Sequence, residues 1–112
     1  MPTKKIIYPL FEEPYLPTVV AKIEKEKGKF TYSVSLTAII KGRSREIVRI
    51  DNYHGIHHRH ELWRGNESRS EAVFSGLGSV VEAIINGWKQ YVRLYEKAIE
   101  EGVLEDEENE KA

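Results

Sequence analysis

Lys29-Phe30-Thr31-Tyr32-Ser33-Val34-Ser35-Leu36-Thr37-Ala38-Ile39-Ile40 alternates apolar side chains with hydroxyl-bearing ones along most of its length. Successive side chains of a strand point to opposite faces, so Phe30, Tyr32, Val34, Leu36, Ala38 and Ile40 make one apolar face. Thr31, Ser33, Ser35 and Thr37 make a wet one. The segment therefore reads as a strand of a sheet with a single covered side.

The neighbouring segments extend that sheet. Lys41-Gly42-Arg43-Ser44 has turn chemistry, and Arg45 to Asp51 resumes a strand, which predicts a hairpin. Upstream, Thr18 to Lys25 alternates weakly and reads as another strand. Asn52 to His57, with Gly55, reads as a loop. His58 to Arg64 reads as a further strand, ending in a polar turn at Gly65-Asn66-Glu67. Period-3.6 patterning begins late: Val81, Ile84, Ile85, Trp88, Tyr91, Val92, Tyr95, Ala98 and Ile99 fall on one helical face. Ser79-x-x-Glu82, after Gly76-Leu77-Gly78, has the form of a capping box. The helix is predicted to run to about Glu101 and stop at Gly102, a length of roughly 33 Å at 1.5 Å per residue. The expected fold is α+β, an antiparallel four- to five-stranded meander with one long C-terminal helix packed on one face. Trp88 and the helix tyrosines are expected to lie in the core against the Phe30–Ile40 face.

Residues 1–102 read as a single α+β domain. All four prolines (Pro2, Pro9, Pro14, Pro17) fall in residues 1–17. Proline fixes φ and removes a donor, so this stretch is expected to be extended and irregular. Its apolar residues suggest a segment laid across the core or set into an interface, and a homo-oligomer is among the expectations. Residues 103–112 read as an acidic, flexible tail.

Composition narrows the class. The chain has 112 residues, 40% hydrophobic and 31% charged, with no apolar run near the roughly 20 residues that span a bilayer. Its first residues lack the apolar stretch of a secretory signal, and a cytoplasmic location without membrane attachment is expected. The absence of cysteine excludes a disulfide framework and thiolate metal sites. Glu outnumbers Asp 16 to 2 and there is a single Gln, a bias expected of a heat-adapted source. The net charge of −1 is unevenly placed: residues 1–99 carry +5 and residues 100–112 carry −6. A basic body suits an anionic partner such as RNA, and an acidic tail could compete for the same surface.

All four histidines, His54, His57, His58 and His60, lie within seven residues, downstream of Arg49-Ile50-Asp51-Asn52. Imidazole exchanges protons or ligates metals near neutral pH without special tuning. On neighbouring strands, Arg49 and Asp51 would approach His58 and His60, whose side chains would share a face about 7 Å apart. That separation suits acid–base work across a phosphodiester. His58 and His60 would act as base and acid, Arg49 or Arg59 as the cation, and Asp51 would orient one ring. No cofactor is needed in this reading. The alternative is a divalent metal held by His58, His60 and Asp51. A third reading is structural, with stacked loop histidines and Asp51-Asn52 capping a turn. Asn52, His54, His57, Arg59 and Arg64 are candidate binding residues, and Tyr53 and Trp63 are candidates for stacking on bases.

Ile47-Val48-Arg49-Ile50-Asp51-Asn52 followed by His57-His58-Arg59-His60 resembles the central motif of the TumE-like family. Its members are small toxins of toxin–antitoxin pairs, with a strand ending in Arg-aromatic-Asp-Asn and then a His-x-His element. The resemblance implies a short sheet followed by a helix, and a functional centre at Arg49, Asp51, Asn52, His58 and His60. It also implies an antitoxin protein as partner. The combined expectation is a small toxin-like protein acting on RNA as a metal-independent ribonuclease. A non-catalytic binding module or a divalent-metal-binding protein is the alternative.

Overall fold

The computed structural model describes residues 3–53, 55–64, 68–72 and 74–104. Six strands precede one helix: β1 Thr3–Pro9, β2 Thr18–Glu26, β3 Lys29–Ile40, β4 Arg43–Asp51, β5 His57–Glu61, β6 Ser68–Ala72 and α1 Leu77–Glu100. The strands form one antiparallel sheet in chain order, β1 through β6. The fold is the α+β meander that the periodicities predict, with six strands in place of four or five. The proline-rich start is not irregular throughout, because Thr3–Pro9 pairs with β2 along its whole length. An edge strand tolerates proline, and Pro9 closes it. The predicted fourth strand is shorter than expected: β5 stops at Glu61, and Leu62–Arg64 forms a 3-10 turn. The acidic stretch 105–112 lies outside the described residues.

Two hairpins set the register. Lys27-Gly28 and Lys41-Gly42 each connect strands through two residues, both at positive φ (50° and 78°; 54° and 78°). This is the backbone of a type I′ turn, whose twist matches that of the flanking strands, and the glycine takes the second position without a Cβ penalty. Between β3 and β4 the register shifts: Leu36 faces Val48 but Thr37 faces Glu46, so Ile47 is the extra residue of a bulge. Ile47 and Val48 are consequently both buried. Beyond the bulge Arg45, opposite Ala38, falls on the helix side, where it is buried and its Nε donates to Ile40 O at 3.0 Å.

The core lies between the sheet and α1. Val19 and Ala21 of β2, Tyr32, Val34, Leu36, Ala38 and Ile40 of β3, and Val48 and Ile50 of β4 meet Val80, Val81, Ile84, Val92, Ala98 and Ile99 of the helix. Trp88 packs edge-on to Tyr15 at 6.3 Å between ring centroids, and Tyr91 against Trp63 at 5.7 Å. Phe30, at the far end of the apolar face, is 50% exposed, and its ring meets Tyr32 edge-on at 5.8 Å between centroids. The helix starts two residues before the expected capping serine. Gly76 is the N-cap, and Ser79 Oγ, three residues on, accepts its N–H at 3.2 Å. The end is as expected: Gly102 N–H and Val103 N–H bond back to Ile99 O and Ala98 O. No described helix is long and apolar enough to cross a membrane.

Two tyrosines make the fold sensitive to alkali. Burial raises the Tyr32 hydroxyl above its ordinary value of 10.0. Tyr15 is raised by its hydrogen bond to the Glu96 carboxylate, then by burial and by that carboxylate's charge. Both hold their protons more tightly folded than unfolded. Their contribution is therefore intact below pH 10 and declines as pH rises through the folded-state values. Urea midpoints measured at pH 9 and pH 11 are expected to fall, and less steeply in Tyr32→Phe. A midpoint independent of pH over this range would contradict the assignment.

Candidate functional site

β4 and β5 pair in a register that places Arg49 opposite His60 and Asp51 opposite His58; on the other side of β4, Ser35 faces Arg49 and Ser33 faces Asp51. Val34 and Ile50 point to the helix, so these residues, one position away in each strand, occupy the opposite face. The cross-strand rows then read Lys5, Lys22, Ser33, Asp51, His58, Glu71 and, beside it, Ile7, Val20, Ser35, Arg49, His60. The helix α1 packs on the other face.

Three strands contribute to a polar network there. His60 Nε2 and Asp51 Oδ2 are 2.9 Å apart, a diagonal contact between strand neighbours. Although no helix lies over them, Asp51 is 5% and His60 8% exposed, and Ser33 is also buried. His58, half-buried, is the more accessible imidazole. Ser35 Oγ donates to Glu46 Oε2 at 2.7 Å, and Arg49 Nη1 bonds Glu46 Oε1 at 3.2 Å. Glu46 is a site residue that sequence patterning misses, since strict alternation back from Asp51 would turn it toward the helix. The bulge at Ile47 reverses that parity.

The histidine cluster divides between the two faces. His57 turns to the helix side, where its Nε2 shares a hydrogen bond with the Tyr32 hydroxyl and its ring meets Phe74 edge-on at 5.5 Å. His54 lies outside the described residues. Asn52 is engaged by backbone: its Oδ1 accepts Tyr32 N–H at 2.8 Å and its Nδ2 donates to Phe30 O at 3.3 Å. It thereby extends the β3–β4 ladder into the turn, which continues with Gly55 N–H bonded to Asn52 O. Tyr53 is exposed. Arg59 and Arg64 flank the carboxylate of Glu61, with Arg64 Nε at 3.0 Å and Arg59 Nε at 3.9 Å, both away from the His58–His60 face. Trp63 is 7% exposed and packed on Tyr91, so its ring is spent on the core and offers no open face to a base. Among the described residues no group of three His, Asp or Glu side chains is disposed to hold a metal ion, including the His58, His60 and Asp51 set.

The sheet and site together define an α+β protein with a six-stranded antiparallel meander, one helix across it, and a polar opposite face. Residues 1–101 match the family described as "Domain of unknown function (DUF7718)", and the chain belongs to that family. Comparison with curated proteins and with solved structures returns no match. The resemblance to the TumE-like toxins is thereby corrected: nearly the whole chain is accounted for by a different family. The resemblance rested on the short stretch from Ile47 to His60, in which Ile50 replaces the aromatic residue. A strand–turn–strand with His-x-His is short enough to recur outside one family.

Proposed function

We propose that the helix-free face binds RNA and cleaves its phosphodiester bonds by acid–base chemistry without a metal. The carrying observation is the His60–Asp51 pair at 2.9 Å, in register with His58 and Arg49 on adjacent strands. One imidazole takes the proton of the 2′-hydroxyl, and that oxygen forms the new bond to phosphorus. The bond to the 5′-oxygen breaks as the second imidazole protonates it. Asp51 orients the His60 ring, and Arg49, held by Glu46, supplies positive charge beside the phosphoryl oxygens. Lys22 and Lys5 continue the row away from Asp51 and are exposed, a spacing that suits successive phosphates of a single strand.

Purified protein is expected to cleave end-labelled RNA in EDTA, leaving 2′,3′-cyclic phosphate ends. His58→Ala is expected to slow cleavage by about 10²–10⁴-fold, the range of a single acid–base group. Undiminished cleavage by both His58→Ala and His60→Ala overturns the reading. The near-enclosure of His60 favours a second one, a binding module in which the pair is structural. Binding lost in Lys22→Glu, with no turnover by wild type, supports that alternative.

A further inference from the structure

β1 forms one edge of the sheet, and among the described residues nothing pairs with its outer rim. The phase of the ladder decides which backbone groups face that rim. Leu10 N–H donates to the opposed Pro17 O at 3.0 Å, making these two a hydrogen-bonded pair. Bonded and non-bonded pairs alternate along an antiparallel ladder. In the register of β1 with β2, the bonded pairs are therefore Tyr8–Val19, Ile6–Ala21 and Lys4–Ile23. The two-residue Lys27-Gly28 turn gives the same phase independently. Its closing pair Glu26–Lys29 is bonded, so Thr18, Val20, Lys22 and Glu24 bond to β3 and the alternate residues of β2 bond to β1. The N–H and C=O groups of Thr3, Lys5 and Ile7 consequently point outward, joined by the carbonyl of Pro9. Pro9, which has no N–H, sits where β2 requires no donor.

We propose that this rim is a homodimer interface, in which β1 pairs antiparallel with β1 of a second copy about a two-fold axis at Ile6. The strand's own sequence selects that register. An axis at Lys5 would set lysine directly opposite lysine, and like charges so placed repel. An axis at Ile7 would shorten the overlap. The axis at Ile6 overlaps all seven residues: Lys5 faces Ile7, Lys4 faces Tyr8, Thr3 faces Pro9, and Ile6 faces its own copy. Six backbone hydrogen bonds form, twice each from Lys5 N–H to Ile7 O, Ile7 N–H to Lys5 O, and Thr3 N–H to Pro9 O. Lysines on an edge ordinarily guard it against pairing. Here each lysine lies across from an apolar or aromatic partner that its alkyl stem can cover, and Ile7, 55% exposed, gains such a cover. The contact is isologous and closes after two copies, whereas joining β1 to the β6 edge would propagate into a filament.

Sedimentation across the micromolar range is expected to show mass rising from the 13.0 kDa chain to twice that value. Ile7→Pro removes an outward N–H and none that β2 uses, so it is expected to yield a monomer with unchanged circular dichroism. Ile6→Cys tests the register in a chain without native cysteine. The two thiols would sit on a non-bonded pair with Cα atoms about 4.5 Å apart, within disulfide range. Oxidised Ile6→Cys is therefore expected to run as a covalent dimer on a non-reducing gel, and Lys5→Cys as a monomer. In wild type, slow exchange of the Lys5 and Ile7 amides is the matching readout. A monomer at every concentration, rapid exchange of those amides, cross-linking of Lys5→Cys in place of Ile6→Cys, or open-ended assembly would overturn the proposal.

Discussion

Asp51→Ala is expected to lower folding stability by about 3 kcal/mol, because it removes one partner of a buried polar pair. Asp51 is 5% exposed and its Oδ2 lies 2.9 Å from His60 Nε2. Asp51→Asn keeps the shape and one hydrogen-bonding oxygen, and a loss of about 1 kcal/mol is expected for it, the ordinary worth of a single hydrogen bond. Urea unfolding of the three proteins separates these values, and the RNA-cleavage assay separates structure from chemistry. A folded Asp51→Asn with strongly reduced cleavage supports an orienting carboxylate. A loss under 1 kcal/mol in Asp51→Ala would show that His60 is held by other contacts.

Trp63→Ala is expected to cost about 3–5 kcal/mol, the usual penalty for truncating a large buried aromatic residue. Trp63 is the middle residue of the chain's only described 3-10 turn, with its ring on Tyr91 of the helix, so the vacated volume lies at the seam between sheet and helix. Trp63→Phe is expected to recover most of the loss. RNA affinity per folded molecule is expected to be unchanged in both variants. A stable Trp63→Ala that loses RNA binding would instead place the indole on the ligand side.

The elements most legible in the sequence were those whose signal is local and repeated. Lys29–Ile40 is the strand that its alternation predicts, residue for residue, and the helix ends at the glycine expected to end it. β1 was hidden by its composition, since proline argues against a strand unless the strand is known to be at an edge. β6, Ser-Arg-Ser-Glu-Ala, carries almost no apolar alternation, and it forms a strand by pairing with β5. The 3-10 turn at Leu62–Arg64 interrupts what reads as continuous period-two patterning. It turns Trp63 into the core and carries Arg64 to Glu61.

For the candidate site, the chain alone determined that His58 and His60 project from one side of a strand, because two residues of extended backbone restore the same direction. It could not determine that His57 serves the core, which depends on Tyr32 and Phe74 arriving from distant segments. Nor could it assign Glu46 to the polar face or Arg45 to the buried one. Those depend on a single extra residue at Ile47, and a bulge is a property of how two strands fit rather than of either strand. Periodicity is written into the covalent sequence one residue after another. Parity across a sheet is set only when strands dock, and there one residue of slip exchanges the faces.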